Sequence, residues 1–121
     1  MRPILLPWPD TVLFPNGSKR AHWATVSKAT KLAREAAYFT AQAHGVPKQW
    51  ETESIKVHVI FEQPDKRRRD WDGMIGSIKA YLDGISDFIG VDDSKFKLSF
   101  EFLEERKKPG CVIMELSNAS T

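Results

Sequence analysis

Cysteine is almost missing from this chain. Cys111 stands alone among 121 residues, so no internal disulfide can staple the fold and its stability has to come from packing. Long apolar runs are missing too: no stretch approaches the roughly 18 residues that a membrane helix needs. Met1-Arg2-Pro3 lacks the apolar segment of a secretory signal, which makes the cytoplasm the expected location. An excess of either charge is also absent, since 18 Lys and Arg stand against 16 Asp and Glu, a net of +2. A nucleic-acid partner therefore has to be argued from where the charges sit rather than from their total. No internal repeat or low-complexity segment interrupts the chain. Its length suits one domain, 1–121, with a hydrophobic core of its own.

What the chain does have is clustering. Pro64–Asp93 (PDKRRRDWDGMIGSIKAYLDGISDFIGVDD) sets four consecutive cations, Lys66, Arg67, Arg68 and Arg69, directly before Asp70-Trp71-Asp72, and it ends on Asp92-Asp93. Cations of this kind neutralise phosphates, and paired carboxylates supply the hard oxygen ligands that Mg²⁺ prefers. In an extended segment the period of two would put both carboxylates on one face and Trp71 on the other. Like charges that close are either solvated or bridged by a cation; a solvated cap or turn is thus the competing reading of Asp70 and Asp72, and both stand open on residue types alone. A second cluster, Lys19-Arg20, precedes His22-Trp23 in a stretch with turn chemistry at Pro15-Asn16-Gly17. Lys19 and Arg20 suit phosphate contacts, and His22 or Trp23 suits a base or ribose. Burial against the following helix is the leading expectation for Trp23, and a hydrogen-bonded surface role for His22.

Ile4-Leu5-Leu6 before Pro7-Trp8-Pro9 predicts a short strand ending at Pro7. From Val26 to Ala43 strong helix formers run without Gly or Pro, with Ala29, Leu32, Ala33, Ala36, Phe39 and Ala43 as the line facing a sheet. Gly45 and Pro47 end that helix. Ile55 to Glu62 alternates, with Ile55, Val57, Val59 and Phe61 on one face, as a half-buried strand does. Gly73 to Ile89 predicts one helix with Met74, Ile75, Ile78, Tyr81, Leu82, Ile85, Phe88 and Ile89 on its core face. Lys79 and Asp83 pair at i,i+4 on the flank aligned with Asp72, and Asp87 is expected to be solvated. Lys95 to Glu104, with Phe96, Leu98, Phe100 and Phe102 inward, and Cys111 to Leu116 predict two strands joined as a hairpin, with Ser117 to Thr121 a frayed tail. The order β-α-β-α-β-β predicts an α+β fold in two layers, a mixed sheet carrying two helices.

In order and spacing these residues resemble the RusA-type Holliday junction resolvases, the crossover junction endodeoxyribonucleases. The likeness covers most of the chain and is carried by Leu6-Pro7-Trp8-Pro9, the basic turn with His22-Trp23, Arg67-Arg68-Arg69-Asp70-Trp71-Asp72, the Lys79 to Asp83 segment and Val91-Asp92-Asp93. It implies a homodimeric endonuclease of DNA recombination and repair, dependent on Mg²⁺ with Mn²⁺ as the alternative. Such an enzyme resolves four-way DNA junctions by paired nicks in opposed strands, in the cytoplasm of a bacterial or phage-infected cell. It also implies that Asp70, Asp72 and Asp93 bind the metal and that Lys79 assists catalysis; Asp92 is either an additional ligand or a solvated neighbour of Asp93, the second being the leading expectation. Lys19, Arg20, Lys66, Arg67, Arg68 and Arg69 are the expected DNA contacts. The chain departs from the family pattern twice: Gly73 stands where Asn is common, and Lys79 follows the second acid by about two helical turns rather than one. Two rival readings remain open: a non-catalytic nucleic-acid-binding module of the same two-layer shape, with the acids as caps, and a protein-interaction module.

Overall fold

The computed structural model of the protein describes residues 3–48, 50 and 54–119. Its elements are β1 (Ile4–Pro7), α1 (Pro15–Arg20), α2 (Trp23–Ala43), β2 (Ile55–Glu62), α3 (Trp71–Ser77), α4 (Lys79–Ile89), β3 (Phe96–Phe102) and β4 (Cys111–Asn118), with 3-10 turns at Thr11–Leu13 and Asp93–Lys95. Helices cover a four-stranded mixed sheet of order β1-β4-β2-β3, an α+β fold in two layers. No helix among the described residues is long and apolar enough to cross a membrane.

Alternation along the strands decides which side of the sheet is covered. Ile4 and Leu6 of β1, Ile55, Val57, Val59 and Phe61 of β2, and Val112, Met114 and Leu116 of β4 are all buried, as the period of two requires of a sheet with one packed face. Against them lie Ile78, Leu82, Ile85, Phe88 and Ile89 from the α4 region and Ala33, Ala37 and Ala41 from α2. Each large apolar side chain so buried contributes about 1.5–3 kcal/mol. Gly45 (φ 71°) and Gly90 (φ 72°) end α2 and α4 in the left-handed conformation, which a Cβ would oppose.

Strand pairing departs from the expected hairpin. Phe96–Phe102 and Cys111–Asn118 are not paired with each other: β3 runs parallel to β2, and β4 lies antiparallel between β2 and β1. After β3 the chain follows the end of β2 instead of turning back, with Leu103 N–H donating to Phe61 O at 3.0 Å and Lys107 N–H to Gln63 O at 2.9 Å. Gly110 then passes so close to Pro64 that a Cβ would come within 2.8 Å of its ring. Val112, Met114 and Leu116 are fully packed and suit an interior strand, whereas Phe96, Phe100 and Phe102 are half-buried and Leu98 is exposed, as at an edge. Ser117 and Asn118, expected in a frayed tail, extend β4 and pair with Lys56 and Ile55; the rest of that tail beyond Ala119 lies outside the described residues.

The helices differ from expectation in four places. Pro15–Arg20, expected as a turn, is a short helix, because Pro15 has the φ that a first helical position needs. Next, α2 starts at Trp23 rather than Val26, since His22 Nδ1 accepts the Ala24 N–H at 3.1 Å as an N-cap. Trp23 is 75 % exposed and is not buried against that helix. The buried line of α2 is Ala33, Ala37 and Ala41, while Leu32 and Phe39 are exposed, so the helix is rotated to present its small residues. Last, the helix expected over Gly73–Ile89 begins at Trp71 and breaks at Ile78 (φ −103°, ψ 8°), giving two helices.

Small residues matter because α2 and α4 touch closely. A Cβ on Gly84 would lie 2.2 Å from the Arg34 carbonyl oxygen and 2.9 Å from Ala37 Cβ. Across the same contact the Arg34 guanidinium donates to Asp87 Oδ1 at 2.8 Å, so Asp87 is paired rather than solvated. Gly84→Ala is therefore expected to destabilise the fold. The helix propensity gained is about 1 kcal/mol, but backbone cannot yield as a side chain does, and overpacking of this kind costs about 1–3 kcal/mol. Urea denaturation checks the sign: a variant as stable as the wild type would show that α2 and α4 can separate freely.

Candidate functional site

Beyond β2 the chain forms a loop fastened by one arginine. Arg69 donates to Asp65 Oδ1 at 2.9 Å, to Asp65 O at 3.3 Å and to Arg67 O at 3.1 Å, and its guanidinium lies 5.3 Å from the Trp8 ring centroid. Its side chain is only 11 % exposed. Asp65 also accepts the Arg67 N–H at 3.0 Å, and that bond, with the one from Arg69, holds its carboxyl below the usual range. Arg69 thus differs in kind from Lys66, Arg67 and Arg68, which stand exposed along the loop. Trp8, against Phe14, Phe61 and Arg69, anchors the loop to the sheet.

Where the loop enters α3, a cleft of about 530 Å³ opens. Phe14 and Pro15 form one wall; Lys19, Arg68 and Arg69 bring positive charge, and Asp70 and Asp72 bring negative charge. Asp70 is extended (φ −82°, ψ 142°) and Asp72 is already helical, so the segment is not the uniform strand that would have aligned them. Both carboxylates still line the cleft while Trp71 does not. Gly73 lies on the same wall, where a Cβ would meet Phe14 and Pro15 only at ordinary contact, 3.9–4.0 Å. The cleft is therefore a short polar trough in which two hard anionic oxygen donors lie beside cations, a composition suited to a phosphate with a divalent cation.

Lys79, Asp83 and Asp93 form a second group. The break at Ile78 starts α4 at Lys79, and its ammonium donates to Asp83 Oδ1 at 2.7 Å and also bonds to the Asp93 carboxylate. Lys79 and Asp83 line a separate cavity of about 250 Å³ together with Gly76 and Ser77. Gly73 lines the first cleft, so α3 spans the two with about one helical turn between them. Asp92 serves the backbone instead, its carboxylate accepting the Ser94 N–H at 3.1 Å and capping the turn Asp93–Lys95.

Of the expected ligands, the structure therefore gathers Asp70 with Asp72 and leaves Asp93 with Lys79. Among the described residues no group of three Asp, Glu, His or Cys side chains converges as a metal site. The donors fit Mg²⁺ in chemistry, and their present arrangement supplies two acids at one place. Of the expected DNA contacts, Lys19, Arg68 and Arg69 line the cleft, while Arg20, Lys66 and Arg67 are exposed outside its lining. Phe14 and Pro15 belong to the stretch expected to face nucleic acid, but their role as the apolar wall of the cleft is one that the sequence reading misses. Their place follows from the helix that Pro15 opens, a signal that the Pro at its N-terminus could have given.

No family model matches the chain. An uncharacterized protein of Xylella fastidiosa (strain Temecula1) is 33 % identical over 123 residues, covering 97 % of this chain and 76 % of the relative.

Two measurements follow from this geometry. Hydrogen bonding to Lys79 holds the Asp93 carboxyl below the usual range, and Asp83 and then Asp93 raise the Lys79 ammonium. The pair's contribution is thus present above the usual carboxylate range and lost as pH falls through the lowered Asp93 value; at the alkaline end it is lost as pH rises through the raised Lys79 value. At this exposure it amounts to less than about 1 kcal/mol. Carboxyl NMR should show Asp93 titrating low in the wild type and returning upward in Lys79→Met; an unmoved midpoint would mean that the contact is not kept in solution. Separately, Arg69→Ala is expected to lower Tm by about 4 °C or more, whereas Arg68→Ala leaves it unchanged, as thermal melts followed by circular dichroism would reveal.

Proposed function

This chain belongs to the same family as the Xylella fastidiosa protein, and from its cleft we propose that it is a Mg²⁺-dependent endonuclease acting on branched DNA, of the RusA-type junction-resolving kind. The observation that carries the reading is the cleft itself, where Asp70 and Asp72 lie beside Lys19 and Arg68. A polyanion meets cations that neutralise it there, next to carboxylates that would repel it unless a metal ion joined them. On this reading Lys19 and Arg68 hold the phosphate and position the strand, with Lys66 and Arg67 extending the basic track. Asp70, Asp72 and Asp93 would hold the ion, and Lys79 keeps Asp93 ionised and oriented. Mg²⁺ or Mn²⁺, when bound, supplies positive charge to a phosphoryl oxygen and to a water molecule.

Paired nicks in opposed strands suit a twofold homodimer, whose two sites are related as the strands are. The uncovered side of the sheet supports that part. Leu5, Ile113 and Ile60 lie there as neighbours in register across β1, β4 and β2, and Trp8, half-buried beneath Arg69, leaves that role to the sheet.

The second reading is a non-catalytic nucleic-acid-binding module, and what favours it is that Asp93 is engaged by Lys79 rather than gathered with the other two acids. A labelled four-way junction and its matched linear duplex, each incubated with and without Mg²⁺, separate the two. The nuclease is expected to nick opposed strands of the junction only with Mg²⁺. Asp70→Asn, Asp72→Asn and Asp93→Asn should each lower the rate by at least about a hundredfold while junction affinity stays within about threefold. Tight binding without any Mg²⁺-dependent product would assign the protein to the binding module, and wild-type cleavage by one of the variants would remove that acid from the ligand set.

A further inference from the structure

Trp71 is the residue that the cleft leaves unexplained. It stands between the two acids in sequence and is 66 % exposed, yet the cleft is lined by Asp70 and Asp72 and not by Trp71. The core of this part of the chain is filled by Met74 and Ile78, so packing does not require an indole there. No ring contact or hydrogen bond of the indole occurs among the described residues. So exposed a ring keeps an apolar π face open to a partner.

We propose that Trp71 is a stacking platform for an unpaired DNA base beside the phosphate that the cleft takes, and that it sets the preference for DNA whose bases are open at that step. This rests on the nucleic-acid reading of the cleft and adds to it the feature of the substrate that is recognised. The chemistry is that of base–aromatic stacking: every base offers a π face, so an exposed indole between the two acids in sequence favours an open base whatever its sequence. In intact duplex both faces of each base are already covered by neighbouring pairs, and a base must leave the stack before the ring can meet it. At a branch point the stack is interrupted, and the ring meets a base without that loss. The neighbouring cations suit the same occupant. Arg68 and Lys19 in the cleft, with Lys66 and Arg67 exposed before it, hold the backbone of the strand whose base reaches Trp71.

Direct binding to the whole chain tests this, with the four-way junction and its matched duplex as probes and Ca²⁺ replacing Mg²⁺, so that the acids can hold a cation while nothing is cut. Trp71→Leu keeps an apolar side chain without a π face, Trp71→Gln suits an exposed helical position, and Trp71→Phe restores a ring. Fluorescence anisotropy is expected to show Trp71→Leu and Trp71→Gln weakening junction binding about tenfold, the scale of one lost stack, with duplex binding changed less than about twofold and Trp71→Phe within about threefold of wild type. Equal losses on both probes, or none on either, would overturn the stacking role and leave the nucleic-acid reading standing. If Trp71→Phe bound as weakly as the two variants without a ring, that too would overturn it, since a ring would then not be what matters. A wild-type protein that binds neither probe would overturn the nucleic-acid reading itself, and this proposal with it.

Discussion

The close approach of α2 to α4 is the constraint on which the rest of the molecule depends. Ala33, Ala37 and Ala41 on one helix and Gly84 on the other allow backbone to lie almost against backbone, and a bidentate contact from Arg34 to Asp87 ties the two helices together. With the helices this close, Leu82, Ile85 and Ile89 share one core with the buried strand residues. The position of α4 then sets where Lys79 begins and how it meets Asp83 and Asp93. The packing of small residues thus reaches the charged groups through one rigid element.

Electrostatically the molecule keeps its acids in two states. Asp65, Asp87 and Asp93 are each held by a cation within the fold and are pushed toward easier ionisation, Asp87 and Asp93 first by that cation and Asp65 first by the Arg67 backbone N–H and then by Arg69. Asp70 and Asp72 make no ion pair among the described residues and face an open trough beside Lys19 and Arg68. The cations show the same division. Arg34, Arg69 and Lys79 are committed to structure, whereas Lys66, Arg67 and Arg68 project outward from a loop that Arg69 stiffens. Near-neutral composition therefore conceals a local surplus of uncommitted charge of both signs at one place.

Much of this is legible in the residues. Strict alternation in Ile55–Glu62 marks the buried face of β2, and the Lys79–Asp83 spacing marks their pairing, because both are local periodicities. The two-layer α+β class follows from element order, and the basic run beside Asp70-Trp71-Asp72 points to the place where the cleft lies. Neighbour relations are not legible. Alternation says which side of a strand is buried but not which strand lies beside it, so chain order alone sets β4 next to β3, where the fold does not. Sequence also misplaces the face of α2, because Leu32 and Phe39 are the larger apolar residues, while what decides the matter is how near α4 has to come. Similarly, the break at Ile78 is a backbone event between two good helical segments, with neither Gly nor Pro at that residue. The separation of Asp93 from the other two acids depends on that break and on the turn capped by Asp92, both outcomes of tertiary placement.

The path of the chain after β3 bears on how the protein forms during synthesis. Last of the described strands in chain order, β4 fits between β1 and β2, and until it is made nothing among the described residues joins those two into a sheet. The segment leading to it also closes over the root of the basic loop, through Lys107 to Gln63 and Gly110 against Pro64. A nascent chain that has completed both large helices and three strands thus still has an open sheet with exposed edges, the kind of intermediate that chaperones shield. The same strand finishes the sheet and secures the base of the cationic loop, so a nascent chain would gain its rigid charged surface only once Asn118 has left the ribosome.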